Sequence, residues 1–186
     1  MRVVYLVKHA SPAVQPNVAA HQWELHAGGI EEAKQLGLVA RDWGLASVYS
    51  STEAKARATA LLVADATSLQ ARVVEGFEEI RIDWIANSDN YSEYIREVLE
   101  HPGASFRATE RAIDAATRFA GAMSIVEKGA LPAALVTHGR VLTAYLTQLV
   151  GLEDPFAFWR AIPMPGWAAL DLDGPKLISG FHALPR

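Results

Sequence analysis

The sequence predicts an α/β fold: a three-layer αβα sandwich around a mostly parallel sheet with an antiparallel edge. Short apolar runs alternate with amphipathic helical stretches, the pattern of a parallel sheet covered by helices on both faces. The runs are continuous in their apolar character, as strands buried on both sides are. Near the C-terminus two further runs meet at Asp173-Gly174-Pro175 and read as a hairpin, which places an antiparallel pair at the edge.

Residues 2 to 7 are aliphatic, aromatic or β-branched after Arg2 and form the first, central strand, which ends abruptly at Lys8-His9-Ala10. Ala10 to Gln22 carries Pro12, Pro16 and Asn17 and cannot hold a regular helix, so it is a loop over that strand's end. From Gly29 the series Ile30, Ala33, Leu36, Ala40, Trp43 recurs at three and four residues, predicting a helix that stops at Gly44. Residues 46 to 50 are the second strand, followed by a helix from about Glu53 to Asp65 with Ala54, Ala58 and Leu61 on one face. A third strand runs from Ala71 to Val74 and leads into Gly76-Phe77-Glu78-Glu79. The region 81 to 105 is the richest in polar and turn residues and predicts a short helical excursion, in which Trp84, Tyr91 and Tyr94 either pack on the core or line a pocket. Ala112, Ala116, Phe119, Met123 and Val126 mark a long helix ended by Gly129; Pro132 opens the strand that leads to Thr137-His138-Gly139. A broad apolar helix then runs to Gly151, and the hairpin of residues 168 to 178 closes the sheet.

With 186 residues, 51% of them apolar and 20% charged, the chain fits a single domain spanning residues 1–186. No apolar run approaches the roughly 18 residues needed to cross a bilayer, so no membrane partner is expected. The absence of cysteine removes thiolate chemistry and makes a cytoplasmic location the default expectation. A net charge of −4 with scattered Lys and Arg offers no basic surface for nucleic acid. Nothing sets the oligomeric state.

In a parallel α/β sheet the carboxyl ends of the strands form the ligand crevice. His9 and His138 both follow strands and so converge there. A neutral imidazole is a good nucleophile toward phosphorus near pH 7, and such a site also needs cations for the phosphoryl oxygens and an acid for the leaving oxygen. Lys8, Lys55, His138 and Glu79, each at a strand end or just beyond one, supply those groups.

These fragments resemble the histidine phosphatase superfamily, the phosphoglycerate-mutase-like fold. Lys8-His9-Ala10 stands where the family has Arg-His-Gly. Leu25-His26-Ala27-Gly28-Gly29-Ile30-Glu31-Glu32-Ala33 is similar to its Leu-Thr-x-x-Gly-x-x-Gln-Ala segment, and the run from Ser50 to Ala60 to Ser-Ser-Pro-Leu-x-Arg-Ala-x-x-Thr-Ala. Phe77-Glu78-Glu79 is similar to Leu-x-Glu, Thr137-His138-Gly139 matches the second histidine motif, and Gly103-Ala104-Ser105 with Arg111 resembles Gly-Glu-Ser…Arg. The resemblance implies that His9 is the nucleophile, that Glu79 rather than Glu78 is the general acid, and that His138, Lys8 and Lys55 hold the phosphoryl group. Lys8 and Lys55 replace arginines; lysine is a mobile point charge where arginine offers a planar fork, and the compensating phosphate-binding residue is expected to be Arg140, at a helix start, rather than Arg57, on a different helix face from Lys55. The implied activity is hydrolysis of a small phosphomonoester through a phosphohistidine, with no cofactor or metal. Its rivals are a binding protein with little turnover and a mutase-type phosphotransferase. His26 reads as a helix start and His101 as a helix end.

Overall fold

A computed structural model describes residues 1–82, 88–105 and 110–185. Trp84 therefore lies outside the described residues, as does part of the 81–105 excursion. The strands are β1 (Val3–Lys8), β2 (Ser47–Ser50), β3 (Ala71–Val73), β4 (Ala133–Thr137), β5 (Gly166–Asp171), β6 (Lys176–Leu177) and β7 (His182–Ala183). They form one mixed sheet in the order β3-β2-β4-β1-β5-β6, with β7 also on β5. β3, β2, β4 and β1 are mutually parallel, and β5 runs antiparallel to β1.

Helices α1 (Ala27–Ala40) and α2 (Ala54–Ala66) cover one face of the sheet; α3 (Ser88–Glu100), α4 (Ala112–Glu127) and α5 (Gly139–Val150) cover the other. The alternation of side chains along a strand divides the core accordingly. Val4, Leu6, Ala133 and Leu135 pack with Phe119, Leu142 and Leu146, whereas Val7, Ala134 and Val136 pack with Leu36, Ala60 and Val63. Both layers are apolar, and β1 and β4 are buried throughout except for Tyr5 and Lys8, which are partly exposed.

The helix from Gly29 begins two residues earlier than its periodicity suggests, because the His26 side chain caps it by accepting from the Gly29 N–H at 3.0 Å. It ends in a single 3₁₀ turn at Gly44, whose φ of +61° suits glycine. Ile30 of its expected stripe is in fact exposed. The expected face of α2 is wrong. Ala54 and Ala58 are only partly buried and Leu61 is exposed, whereas Lys55, Ala56, Thr59, Ala60, Val63 and Ala64 point inward. An alanine-rich helix has little apolar asymmetry, and the buried polar pair Lys55 and Thr59 inverts what there is. Two elements were not anticipated: the edge strand β7 and α6 (Pro155–Ala161), which starts with an Asp154 cap donated to by Ala157 N at 2.8 Å and proline in its first turn. Gly103-Ala104-Ser105 lies in the connection after α3, and Arg111 is the residue before α4, exposed and paired with Asp114. No described helix is long and apolar enough to cross a membrane.

Candidate active site

Because β4 lies between β1 and β2, the segments leaving the carboxyl ends of β1, β2, β3 and β4 meet in one crevice. The ladder continues past the strands through His9 N to Thr137 O at 3.0 Å and Ser51 N to Val136 O at 3.0 Å, so the site's backbone is fixed by the sheet itself. The His9 and His138 rings stand 5.1 Å apart, nearly edge to face, and both are buried.

His9 Nδ1 lies 2.8 Å from its neighbour's carbonyl, Ala10 O. A carbonyl only accepts, so Nδ1 carries the proton and Nε2 keeps its lone pair. Burial, His138, and the Lys55 and Lys8 ammonium groups hold the His9 pKa well below the usual histidine range, outweighing the bond to Ala10. The imidazole is neutral at any ordinary pH. The loop after it is tied down by Ala10 N donating to Thr59 Oγ1 at 3.1 Å, which gives Thr59 its reason to face inward. Gly29 has a steric reason as well: a Cβ there would sit 2.0 Å from Ser11 O.

His138 Nε2 is 2.9 Å from Ser51 Oγ and 3.7 Å from Glu53 Oε1, while its buried Nδ1 has no hydrogen-bond partner among the described residues. Burial lowers its pKa to about 3, with Lys55 and Arg140 acting in the same direction and Glu79 against.

Glu79, not Glu78, faces the cavity. Its Oε1 accepts from Ile80 N at 2.9 Å and Val141 N at 2.8 Å; its Oε2 accepts from Arg140 N at 3.1 Å. The carboxylate thus caps the N-terminus of α5, where the free N–H groups favour negative charge. Arg140 Nε stands 3.2 Å from Oε2, off the hydrogen-bond direction. Burial raises the Glu79 pKa, but Arg140, His138 and the two N–H groups of Ile80 and Arg140 outweigh it and bring it to about 2. Glu78 turns away, accepting from Thr52 Oγ1 at 2.9 Å and Gly76 N at 2.9 Å. Arg118 of α4 clamps this segment by donating to the carbonyls of Gly76, Glu78 and Glu79 at 2.8 to 3.0 Å, while it pairs with Glu110.

The cations converge as expected, but each is already engaged. Lys8 Nζ donates to Ile162 O at 3.2 Å, and burial lowers its pKa, partly offset by Glu79. Lys55 Nζ, buried, donates to Ala20 O at 2.7 Å and is in close contact with Glu53 Oε2. Arg140 also donates to Tyr91 Oη at 3.2 Å. Arg57 is exposed and takes no part. Together these groups floor a cavity of about 780 Å³ walled by Pro12, Val14, Trp23, Ile80, Ile82, Tyr91, Trp159 and Met164.

Sequence reading missed Glu53, Arg118 and Trp159 as site-forming residues and left Tyr91, which lines the cavity, open between core and pocket. Glu53 carried a signal, since it stands two residues before Lys55 in a run where Leu and Arg were expected. Among the described residues no cluster of three or more His, Asp or Glu is arranged to hold a metal ion.

An αβα sandwich whose two strand-end histidines face each other among lysine, arginine and glutamate defines the class of molecule. The model of the histidine phosphatase superfamily, branch 1, matches residues 4–177, and the chain belongs to that family. No curated protein matches it. Among solved structures it is similar to mycobacterial glucosyl-3-phosphoglycerate phosphatase in complex with inorganic phosphate (21% identity, TM-score 0.77, covering 99% of each chain). It is also similar to phosphoserine phosphatase from Entamoeba histolytica in complex with 3-phosphoglyceric acid (18%, TM-score 0.75, 98% of each) and to YhfR from Bacillus stearothermophilus (21%, TM-score 0.74, 97% of this chain and 94% of that one). These likenesses establish the fold.

Proposed function

We propose that the protein is a phosphatase that hydrolyses a small phosphomonoester through a phosphohistidine on His9. The observation that carries this reading is the His9 tautomer: Nδ1–H is held by Ala10 O, so Nε2 presents a lone pair in a buried crevice lined by cations. In the first step Nε2 attacks phosphorus, the N–P bond forms and the ester P–O bond breaks, and the leaving oxygen takes a proton from Glu79. In the second, Glu79 takes a proton from water, the oxygen of that water attacks phosphorus, and the N–P bond breaks to release inorganic phosphate. Lys8, Lys55, Arg140 and His138 stabilise the charge on the transferred oxygens. Glu79 acquires its proton only if Arg140 leaves it for the phosphoryl group, since a neighbouring dianion both attracts the guanidinium and raises the carboxyl pKa.

A second reading has its own observation. Both the Lys55 and the Arg140 charges are already matched by carboxylates, Glu53 and Glu79, which fits a protein that binds a phosphorylated ligand with little turnover. Purified protein incubated with a panel of phosphomonoesters decides between them. Hydrolysis predicts phosphate release that His9→Ala abolishes, together with an acid-labile phosphoryl label trapped on the wild type; release unchanged in His9→Ala removes the covalent mechanism. Calorimetric binding with no release is the result that favours the binding protein.

A further inference from the structure

Lysine in place of a forked cation leaves a phosphate pocket with a donor on four rotatable bonds, and such a donor contributes little unless something holds it. Here something does. The Lys55 ammonium has three N–H groups; one goes to Ala20 O at 2.7 Å and one to Glu53 Oε2. Glu53 is itself immobile: its backbone N–H bonds Ser51 Oγ at 3.2 Å, and its Oε1 accepts from Glu79 N at 2.8 Å. The pair is buried, with side-chain exposures of 7% each, yet both residues line the cavity. Two of the three lysine protons are therefore spent on fixing the ammonium, and the third remains for a ligand.

We propose that Glu53 is a positioning residue that converts Lys55 into a fixed single donor to the phosphoryl group, so that Glu53 and Lys55 work only as a matched pair. This rests on the phosphatase reading. It accounts for two of the three departures in one stretch of chain, Glu53 and Lys55 but not Thr52, as a single change of design. It also makes the usual remedy for a lysine counterproductive. An arginine at 55 beside Glu53 pairs its fork with the carboxylate, because two parallel N–H···O bonds match a carboxylate as well as a phosphate, and the donor is withdrawn from the ligand.

The test is a double-mutant cycle read by kcat/KM on a phosphomonoester and, independently of turnover, by calorimetric affinity for inorganic phosphate. Glu53→Leu frees Lys55 and is expected to lower kcat/KM by about 10- to 100-fold, the scale of a misplaced catalytic group. Lys55→Arg alone is expected to fall by ~10-fold or more, and the double variant Glu53→Leu/Lys55→Arg to return to within about 3-fold of wild type; this coupling follows from the pairing of residues in contact. Glu53→Gln, which keeps shape and an acceptor for Glu79 N but gives up the charge gripping Lys55, falls about 10-fold and carries the test if Glu53→Leu melts early. Phosphate affinity follows the same order. A Glu53→Gln or Lys55→Arg protein as active as wild type, or a double variant no better than its worse parent with an unchanged melting temperature, overturns the proposal. A wild type that hydrolyses nothing but shows this order in phosphate affinity refutes the phosphatase reading and leaves the role of Glu53 standing. A wild type that neither hydrolyses nor binds phosphate overturns both.

Discussion

Glu79 is a helix cap to which the proposed reaction gives a second task, that of general acid. At rest it is an ionised cap on α5, held by three backbone N–H groups and next to Arg140. As the proposed acid it must first acquire a proton, and a pKa held at about 2 makes that dependent on bound substrate. The proposed role therefore predicts a dependence on leaving group. Glu79→Gln is expected to lower kcat by roughly 10²-fold or more for an alkyl phosphate, whose leaving oxygen needs protonation, and by under about 10-fold for p-nitrophenyl phosphate, which departs unaided. An equal loss on both substrates points instead to a capping role alone, and melting curves show whether the cap itself was the main loss. Neighbouring Glu78 is the contrast: the same residue type one position earlier bonds Thr52 and Gly76 away from the cavity. The resemblance to Leu-x-Glu nominates Glu79 of the two, with the buried Phe77 in the place of the leucine.

At the scale of elements, the glycine in the first turn of α1 shows how closely a helix must approach the loop that follows His9. Gly29 has Ser11 O where a Cβ would be, at 2.0 Å, and the obstacle is backbone. Gly29→Ala is expected to destabilise the fold by about 1–3 kcal/mol. Calorimetry would register a fall in Tm of roughly 2–4 °C for each kcal/mol. An unchanged Tm would mean that the loop shifts freely. Strands β1 and β4 and helices α4 and α5 were legible because their apolar periodicity is unbroken over five or more residues. The inner face of α2 was not, because alanines on every side leave Val63 as its one large apolar residue, and the polar Lys55 and Thr59 mark it in the wrong sense. α6 escaped because seven residues make too short a period; its Asp154-Pro155 start was the readable sign. Glu53 escaped for a different reason. Its meaning depends on Lys55, two residues on, and also on Glu79 and His138, which only the fold brings to it.

For the whole molecule, the site is a concentration of groups whose protonation the fold opposes. His138 sits at about 3 against an ordinary 6.5, His9 is also lowered, and Glu79 sits at about 2 against 4.5. In each case the unfolded chain binds a proton at a pH where the folded one does not, so stability falls as pH falls. The loss begins near pH 6.5 as the unfolded histidines protonate and steepens below 4.5 as Glu79 joins them. Urea midpoints measured from pH 8 to pH 4 should decline by the equivalent of a few kcal/mol, and the decline should be shallower in His9→Asn. A midpoint that is flat across this range would contradict the burial of neutral imidazoles. The sheet's order explains why these groups coincide at all: only with β4 between β1 and β2 do His9 and Glu53 line one crevice with His138 buried against them.

Both lysines of the site are held by main-chain oxygens outside the sheet, Lys8 by Ile162 and Lys55 by Ala20. A carbonyl is the same whichever residue bears it, so these two anchor points place almost no demand on amino-acid identity, and the chain can drift in composition there while the ammonium groups stay where they are. What they constrain is length. One residue inserted or deleted between Ala10 and Ala20, or between α6 and β5, would carry an anchor away by about 3 Å. The segments around this crevice are free to vary in lettering and bound in spacing.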